Sequence, residues 1–387
     1  MKKIAIFTGS IYTVGGEQRV VSLVANKLSE KHEVTIFTMD RVNSGRPRYD
    51  INESIGIEYY NPYKNDSVSF ILRAATHLTP VVVYDWFPKG IERAYCTDKY
   101  AEIMNELISD DYDTVIATAW QLSIILGKVK KSFNRRFKAI AWEHNSYEAY
   151  FEQKNFYLYK NEKLFVDALK CVDNIVVLND DYKKKYYDRL GLESIVIFNP
   201  KSFTSETVSE SQNKTILACS RIDDMQKGID LLLDSFEKFC NRNSDWRLLI
   251  AGDGPALKKY KKLVETLDCG NRVEFLGSIS DVKNIMLEAS IFALPSRFEG
   301  FPMSVTEAFE CGLPVVAYDI PAMEPFKKSG GAVCSTCYDT DEYADVMLSL
   351  TNNLELRRNM GEKARNFAKQ LDIELIMKKW EKALTTE

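Results

Sequence analysis

Two carboxylates and two cations carry the chemistry this chain can offer. Glu299 and Glu307 stand eight positions apart in Leu294-Pro295-Ser296-Arg297-Phe298-Glu299-Gly300-Phe301-Pro302-Met303-Ser304-Val305-Thr306-Glu307-Ala308-Phe309. The stretch reads as a strand ending at Pro295, a loop bearing glycine and proline, and a helix starting near Pro302 or Met303. Proline is tolerated near the first helical position, because that N–H has no intrahelical partner. The free N–H groups and positive dipole end of such a helix suit an anion such as a phosphate. A carboxylate accepts two hydroxyls well, so Glu307, about one turn into the helix, suits a ribose diol, and Glu299, in the loop, suits a sugar. A glycosidase acid pair is the competing chemistry. Eight positions at helical rise span up to ~12 Å, against ~5–5.5 Å for a retaining hydrolase pair. A loop that folds back leaves that comparison open, and solvated glutamates on a helix are the plainer alternative.

The cations lie in Ser220-Arg221-Ile222-Asp223-Asp224-Met225-Gln226-Lys227-Gly228-Ile229-Asp230. This loop follows a strand and precedes a helix patterned by Leu231, Leu232, Leu233, Phe236 and Phe239. The planar fork of Arg221 and the point charge of Lys227 suit a diphosphate; ordinary surface charges are the alternative. Asp223-Asp224 reads as a solvated turn. In Ala251-Gly252-Asp253-Gly254-Pro255, Gly252 and Gly254 permit a tight turn and a close approach to a ligand. Gly15-Gly16, after the first strand, offer the same. Neither Gly-x-Gly-x-x-Gly nor Gly-x-x-x-x-Gly-Lys-Ser/Thr is present, so a dinucleotide oxidoreductase and a P-loop NTPase lose support. A lone histidine is more often structural than catalytic, but His144, in Ala141-Trp142-Glu143-His144-Asn145-Ser146, ends a strand and precedes a polar loop, a placement that strengthens the case for a site.

The elements that must position these residues alternate along the chain. Strands are expected at Lys3–Thr8, Glu33–Thr38, 113–118, 137–142, 174–178 and 194–198, then at Thr215–Cys219, Arg247–Ala251, 272–276, 290–294 and 314–317. Helical segments separate them; in 17–31, Val20, Val21, Val24 and Leu28 keep helical spacing. Such alternation implies parallel sheets covered on both faces, and open sheets of this kind bind ligands at the carboxyl ends of their strands. The pattern stops at Asn199-Pro200. Residues 201–213 are rich in Ser and Thr, without a period, and read as a linker. The expected organisation is 1–200, a linker at 201–213, a second domain over 214–370, and a terminal helix in 371–387 able to pack back on the first domain.

Composition narrows the function. A length of 387 residues agrees with two domains at roughly 100–200 residues each. The 51 Lys+Arg against 55 Asp+Glu give a net charge of -4, which argues against broad nucleic-acid binding. Eight Cys, mostly in apolar stretches, fit reduced thiols, and Cys334 with Cys337 lacks the further ligands of a zinc site. The most apolar stretch, 69–87, is interrupted by Arg73, His77, Pro80 and Asp85 and falls short of the ~20 apolar residues of a membrane span. The apolar part of the first eight residues is too short for a signal peptide. A cytoplasmic protein is expected, with peripheral membrane contact at most. Residues 128–138 carry six cations and no acid, interleaved with Phe133 and Phe137, and 67–84 is apolar with Arg73 and His77 embedded. Together they suit an anionic membrane, each basic side chain adding about 1 kcal/mol; a solvated loop beside a buried helix is the alternative.

Taken together, these residues resemble the retaining, nucleotide-sugar-dependent glycosyltransferases of family 4. The flanks make Glu299-x7-Glu307 specific: Ser296-Arg297-Phe298 before it, and Ala308-Phe309-Glu310-Cys311-Gly312-Leu313-Pro314-Val315-Val316-Ala317 after it. Arg221 and Lys227 keep family-like spacing. The resemblance is strongest over 215–325, moderate at Gly15-Gly16, His144 and Asn199-Pro200, and weak across 43–99. It implies the α/β GT-B fold, two Rossmann-like domains facing each other across a cleft, with the donor held mainly by the second and the acceptor by the first. Glu307 would hold the ribose hydroxyls, and Arg221 and Lys227 the diphosphate. Glu299 and the backbone of Gly300, Phe301, Pro302 and Met303 would hold the donor sugar. His144 would sit near the sugar's reacting face and Gly16 near the phosphates; Gly15, Asn199, Gly252 and Gly254 complete the implied donor contacts.

The implied reaction moves a hexose or N-acetylhexosamine from a nucleotide sugar, UDP favoured, to a saccharide acceptor that is lipid-linked, in cell-surface polysaccharide or glycoconjugate biosynthesis. The two cations and the helix tip would meet the charge growing on the leaving diphosphate. No cofactor or metal is then expected, and no Asp-x-Asp motif stands out. Two features depart from the family: Pro302-Met303 where many members have Gly-Leu, and Ala317-Tyr318-Asp319-Ile320-Pro321 in place of a Gly-Gly pair. The rival readings are a non-catalytic GT-B partner subunit, which would tend to lose the four charged residues, and a nucleotide-sugar epimerase of the same fold.

Overall fold

The computed structural model describes the chain except for residues 43–44, 63–66, 79–87, 109–110, 134, 154–157, 159–161 and 386–387. It divides into two compact units, Met1–Pro200 with Ile373–Glu387, and Lys201–Asp372.

The first unit holds seven strands: β1 (Lys3–Thr8), β2 (Glu33–Thr38), β3 (Gly56–Tyr59), β4 (Thr114–Ala117), β5 (Lys138–Trp142), β6 (Asn174–Val177) and β7 (Ile195–Val196). They pair in parallel in the order β3-β2-β1-β4-β5-β6-β7. The second unit holds β8 (Thr215–Cys219), β9 (Arg247–Ala251), β10 (Val273–Gly277), β11 (Ile291–Leu294), β12 (Val315–Tyr318) and β13 (Ala332–Ser335), parallel in the order β10-β9-β8-β11-β12-β13. Strand order reverses between β1 and β4 and between β8 and β11. These are the switch points at whose carboxyl ends doubly wound sheets open a crevice.

Helices on both faces explain why the central strand β1 is apolar through its middle: Ile4, Ala5, Ile6 and Phe7 are all fully buried. The helix Gly16–Ser29 buries Val20, Val21, Val24 and Leu28, as its spacing predicts. Each such side chain contributes about 1.5–3 kcal/mol, so a charge at Val24 would unseat the helix.

Two strands were not expected, β3 and β13, both at sheet edges. Edge strands need less β-branched character because they pair on one side; β3 alternates exposed with half-buried residues, and β13 begins just past Gly330-Gly331. The expected strand 194–198 shrinks to the two residues of β7, also an edge.

Residues 201–213 have neither helix nor strand, but they belong to the second unit instead of linking two bodies freely. Their polar groups are engaged there: Ser209 N–H donates to the Cys311 carbonyl at 2.8 Å, and Arg357 donates to the Ser211 carbonyl at 2.9 and 3.1 Å. The helix Ile373–Thr385 belongs to the first unit. Its Trp380 ring meets Trp142 at 4.6 Å, and its Ala383 carbonyl accepts from Asn174 Nδ2 at 2.9 Å.

The eight cysteines form no disulfide. No helix among the described residues is long and apolar enough to cross a membrane. Within 67–84, Ser67–Leu78 is helical, and 79–84 lies outside the described residues.

Candidate functional site

In the second unit the carboxyl ends of β9, β8 and β11 lie side by side, and their exit loops are zipped together. Gly252 has φ +140°, and a Cβ there would stand 1.8 Å from the Ser220 carbonyl oxygen; at Gly254 it would stand 2.2 Å from that of Ile222. Ile222 N–H donates to the Asp253 carbonyl at 2.9 Å. These glycines were read as letting the backbone reach a ligand. The close approach visible in the structure is that of the β9 loop to the β8 loop. Gly228, which the sequence reading passed over, does the same on the other side: it has φ +63°, and its Cβ would meet the Pro295 carbonyl oxygen at 2.0 Å.

Asp223 organises the β8 loop. Its Oδ1 accepts the N–H groups of Gln226 at 2.7 Å, Met225 at 3.1 Å and Lys227 at 3.4 Å, and its Oδ2 accepts Arg221 Nε at 3.1 Å. The expectation of a solvated Asp223-Asp224 turn is therefore corrected for Asp223, which is buried because it closes the loop on itself. Asp224 is half exposed; hydrogen bonds from Tyr260 and Lys259 hold its carboxyl below the usual range.

The loop delivers its cations to different places. Lys227 Nζ lies 2.7 Å from Glu299 Oε1, and Ser296 Oγ donates to the same oxygen at 2.7 Å. Gln226 clamps the two loops by donating to the Phe298 carbonyl at 3.0 Å and accepting Arg297 N–H at 2.8 Å. Arg297 is anchored bidentately on Asp230 at 3.0 and 2.6 Å. The Arg221 side chain is 66% exposed and pairs with Asp223. Both proposed diphosphate ligands thus rest on a carboxylate, which compensates a cation that an anionic ligand must then win away.

The helix Met303–Glu310 starts after Pro302 with no side-chain cap, so its leading N–H groups keep their capacity for an anion. Phe301 packs inward on Phe326 at 5.0 Å, leaving backbone as what Gly300, Phe301 and Pro302 present. Glu307 is only 5% exposed, and its Oε1 accepts Ser202 Oγ at 2.6 Å. Ser202, 105 positions away, carried no signal in the sequence.

In the first unit, Gly15 is the N-cap of Gly16–Ser29, with extended backbone and no side-chain cap. Beside it lie two acids that sequence reasoning did not single out. Glu17 Oε1 accepts Thr118 Oγ1 at 2.8 Å and Thr8 Oγ1 at 3.4 Å, and burial pushes its carboxyl up to about 7. Glu143 accepts Ser123 Oγ at 2.6 Å and Tyr150 Oη at 2.8 Å; burial, with a smaller repulsion from Glu17, pushes it also to about 7. Their only clue was adjacency to Gly16 and His144.

His144 packs on Trp142 at 4.3 Å, and burial drives its pKa down to about 3, so it is a neutral imidazole near pH 7. Its Nε2 is buried without a partner among the described residues, as are Asn179 Nδ2 and Asn199 Oδ1. Orphaned buried polar atoms are uncommon, and these three follow β5, β6 and β7 at their carboxyl ends. A recess of about 310 Å³ lined by Lys214, Asp245, Trp246 and Arg272 lies at the opposite, amino-terminal end of the second sheet and holds none of these residues.

The basic segment 128–138 departs from expectation. Lys128 pairs with Asp98 at 2.8 Å, Lys130 with Asp173 at 3.0 Å, and Arg135 donates to Asn105 at 2.8 Å; Asn134 lies outside the described residues. Half of its cations are bound to the first unit's own acceptors.

Residues 201–367 match the family described as Glycosyl transferases group 1. An uncharacterized glycosyltransferase of Haemophilus influenzae is 28% identical over 98% of this chain and 99% of its own. The Campylobacter jejuni GalNAc-alpha-(1->4)-GalNAc-alpha-(1->3)-diNAcBac-PP-undecaprenol alpha-1,4-N-acetyl-D-galactosaminyltransferase is 23% identical over 99% of this chain and 98% of its own. Among solved structures, a mutant of S. aureus TarM in complex with Fondaparinux, alpha-GlcNAc-glycerol and UDP is similar with a TM-score of 0.75 at 15% identity, over 100% of both chains.

Proposed function

We propose that this chain, which has the GT-B fold and matches the group 1 glycosyl transferases over residues 201–367, is a retaining, family 4 hexosyltransferase using a UDP-sugar and a lipid-linked saccharide acceptor. The observation that carries the reading is the meeting of Lys227 and Glu299 at 2.7 Å at the carboxyl ends of β8 and β11. Such a pair is a ready exchange site. The donor diphosphate draws the Lys227 ammonium away from the carboxylate, and Glu299 turns to a sugar hydroxyl. Arg221 swings from Asp223 onto the same phosphates.

As the glycosidic bond breaks, charge grows on the diphosphate oxygens, facing Lys227, Arg221 and the uncapped helix start at Met303. Removing one preorganised donor of this kind typically lowers the rate by ~10²–10³. No metal is needed in this scheme, and turnover is expected to survive EDTA. On the first unit, the same reading assigns a sugar contact to His144, a donor contact to Asn199, and phosphate contacts to Gly15 and Gly16. A neutral His144 offers a hydrogen bond to the sugar without adding charge. The acceptor hydroxyl attacks from the face the phosphate leaves, so an α-donor gives an α-linkage.

The relative from Campylobacter is named for an undecaprenol-linked substrate, and a lipid-linked acceptor calls for peripheral contact with the cytoplasmic face of a membrane. The helix Ser67–Leu78 supports it by exposing Val68, Phe70 and Ile71, while Ser69 and Arg73 pin its other side to the carbonyls of Arg93 and Ala94. Because much of the basic segment is paired internally, apolar insertion contributes more than charge.

Incubation with a panel of UDP- and GDP-sugars, with and without a polyprenyl-diphosphate saccharide, tests the reading through product identity and anomer. An α-glycoside from a UDP-sugar is expected. Rearranged free nucleotide sugar without transfer would move the chain to the epimerase class, and an inverted anomer would end the assignment to a retaining family.

A further inference from the structure

We propose that Ser202 is a positioning residue for the donor, setting the Glu307 carboxylate for the ribose from the first residues that enter the second unit. The proposal rests on the reading of Glu307 as the ribose ligand. Ser202 Oγ donates to Glu307 Oε1 at 2.6 Å, and Glu307 is buried. An ionised carboxylate has about four lone-pair sites. A ribose diol uses two of them, and a charge-assisted bond from a fixed hydroxyl orients the remainder.

The hydroxyl is fixed because its neighbours are. Lys201 N–H donates to the Leu371 carbonyl at 2.9 Å, and Lys201 Nζ pairs with Glu310 Oε2 at 3.0 Å. Ser205 N–H donates to Glu310 Oε1 at 2.8 Å, and Arg365 closes on that same oxygen at 2.6 Å. Glu310 lies one turn beyond Glu307 on the helix Met303–Glu310 and is almost wholly buried. The entering segment therefore grips one helix twice: once through Glu310, which anchors the segment, and once through Glu307, which the segment orients.

The test is calorimetric binding of UDP and 2′-deoxy-UDP to the wild type, Ser202→Ala, Ser202→Cys, Ser202→Thr and Glu307→Ala. S202A is expected to bind UDP roughly 3–10-fold more weakly, the scale of one net hydrogen bond. Its loss for 2′-deoxy-UDP should be smaller, because one of the two hydroxyl contacts that Ser202 prepares is missing there. S202C keeps the volume but weakens the donor and should follow S202A, whereas S202T should return to wild type. In kinetics the loss should fall on the KM for the donor, with kcat nearly unchanged. Equal weakening for both nucleotides, or none for either, overturns the proposal, since a packing role ignores the 2′-hydroxyl. If E307A keeps the wild-type ratio between the two nucleotides, the ribose reading of Glu307 fails and takes the proposal with it. If E307A loses that ratio and S202A does not, only the role of Ser202 falls. Should the wild type prefer GDP to UDP, the same arms run with GDP and 2′-deoxy-GDP.

Discussion

Lys227 Nζ and Glu299 Oε1 are 2.7 Å apart although 72 positions separate the residues, and Ser296 completes the contact on the same oxygen. Both side chains are mostly buried, so each is the other's compensation. Removing one partner of such a pair typically destabilises by about 3–5 kcal/mol, whereas removing both can be nearly neutral. Lys227→Met is therefore expected to lower Tm by several degrees and turnover by ~10²–10³. The double variant with Glu299→Gln should recover most of the Tm and none of the turnover. Differential scanning fluorimetry beside steady-state kinetics checks both; a double variant as unstable as K227M would refute the pairing.

His144 makes a prediction through its charge. Burial holds it neutral down to about pH 3, below the ordinary histidine value of 6.5. The folded state excludes a proton that the unfolded chain takes up, so this group's stabilisation is present above about 6.5 and lost as pH falls. His144→Asn should lose less stability between pH 7 and pH 5 than the wild type. Its turnover should fall by about 10–100-fold, the scale of a lost hydrogen bond at about 1–3 kcal/mol, with no change in the shape of the profile between pH 5 and 8. A limb that disappears in the variant would mean that His144 titrates there.

Glu17 has the opposite sign. Its carboxyl is raised from 4.5 to about 7, so the folded state keeps a proton that the unfolded chain releases. Stability contributed by that proton is lost as pH rises from about 4.5 through about 7 and is level above. Glu17→Gln preserves an oxygen for Thr8 and Thr118 and should match the wild type near pH 4.5, then exceed it by about 1–3 kcal/mol at pH 8. Urea denaturation at the two pH values measures the difference, and a constant offset would show that Glu17 is ionised throughout.

Two glycines should respond differently to alanine. At Gly252 the new Cβ meets backbone at 1.8 Å with φ +140°, and neither neighbour can give. G252A is expected to lose more than about 4 kcal/mol or to fail to accumulate in soluble form. At Gly15 the backbone is extended, and the atom met is the end of the Gln18 side chain, which can turn aside. G15A should fold with a Tm close to wild type, and circular dichroism melts of the two variants decide the matter.

Much of this architecture was readable from the sequence because central parallel strands need unbroken apolar, β-branched runs; β1, β2, β8 and β9 fall on the expected residues. The edge strands β3 and β13 escaped because a Gly-Ile-Glu-Tyr or Ala-Val-Cys-Ser segment needs only one partner to be a strand. Of the site, residue types were legible and contacts were not. Arg221, Lys227, Glu299 and Glu307 stood out by spacing, but the Lys227–Glu299 pair depends on β8 lying next to β11, a fact of strand order. Gly252 and Gly254 were legible as a tight turn able to approach a ligand closely, while the Ser220 and Ile222 carbonyls that crowd them belong to a loop about thirty residues upstream. Ser202 and Glu17 are ordinary polar residues until tertiary structure supplies Glu307 and Thr118.

The helix Ile373–Thr385 finishes a body whose other residues are made first. Trp142 gains its Trp380 neighbour, and Asn174 its Ala383 acceptor, only when the last segment has been translated. During synthesis, residues 1–200 must therefore wait with that indole uncovered beside His144 while the whole second unit is translated and can already condense. A stop codon or protease cut just before Ile373 would leave the second unit whole, sparing the glutamates of the Lys201–Asp372 unit while baring the Trp142 ring on which His144 packs.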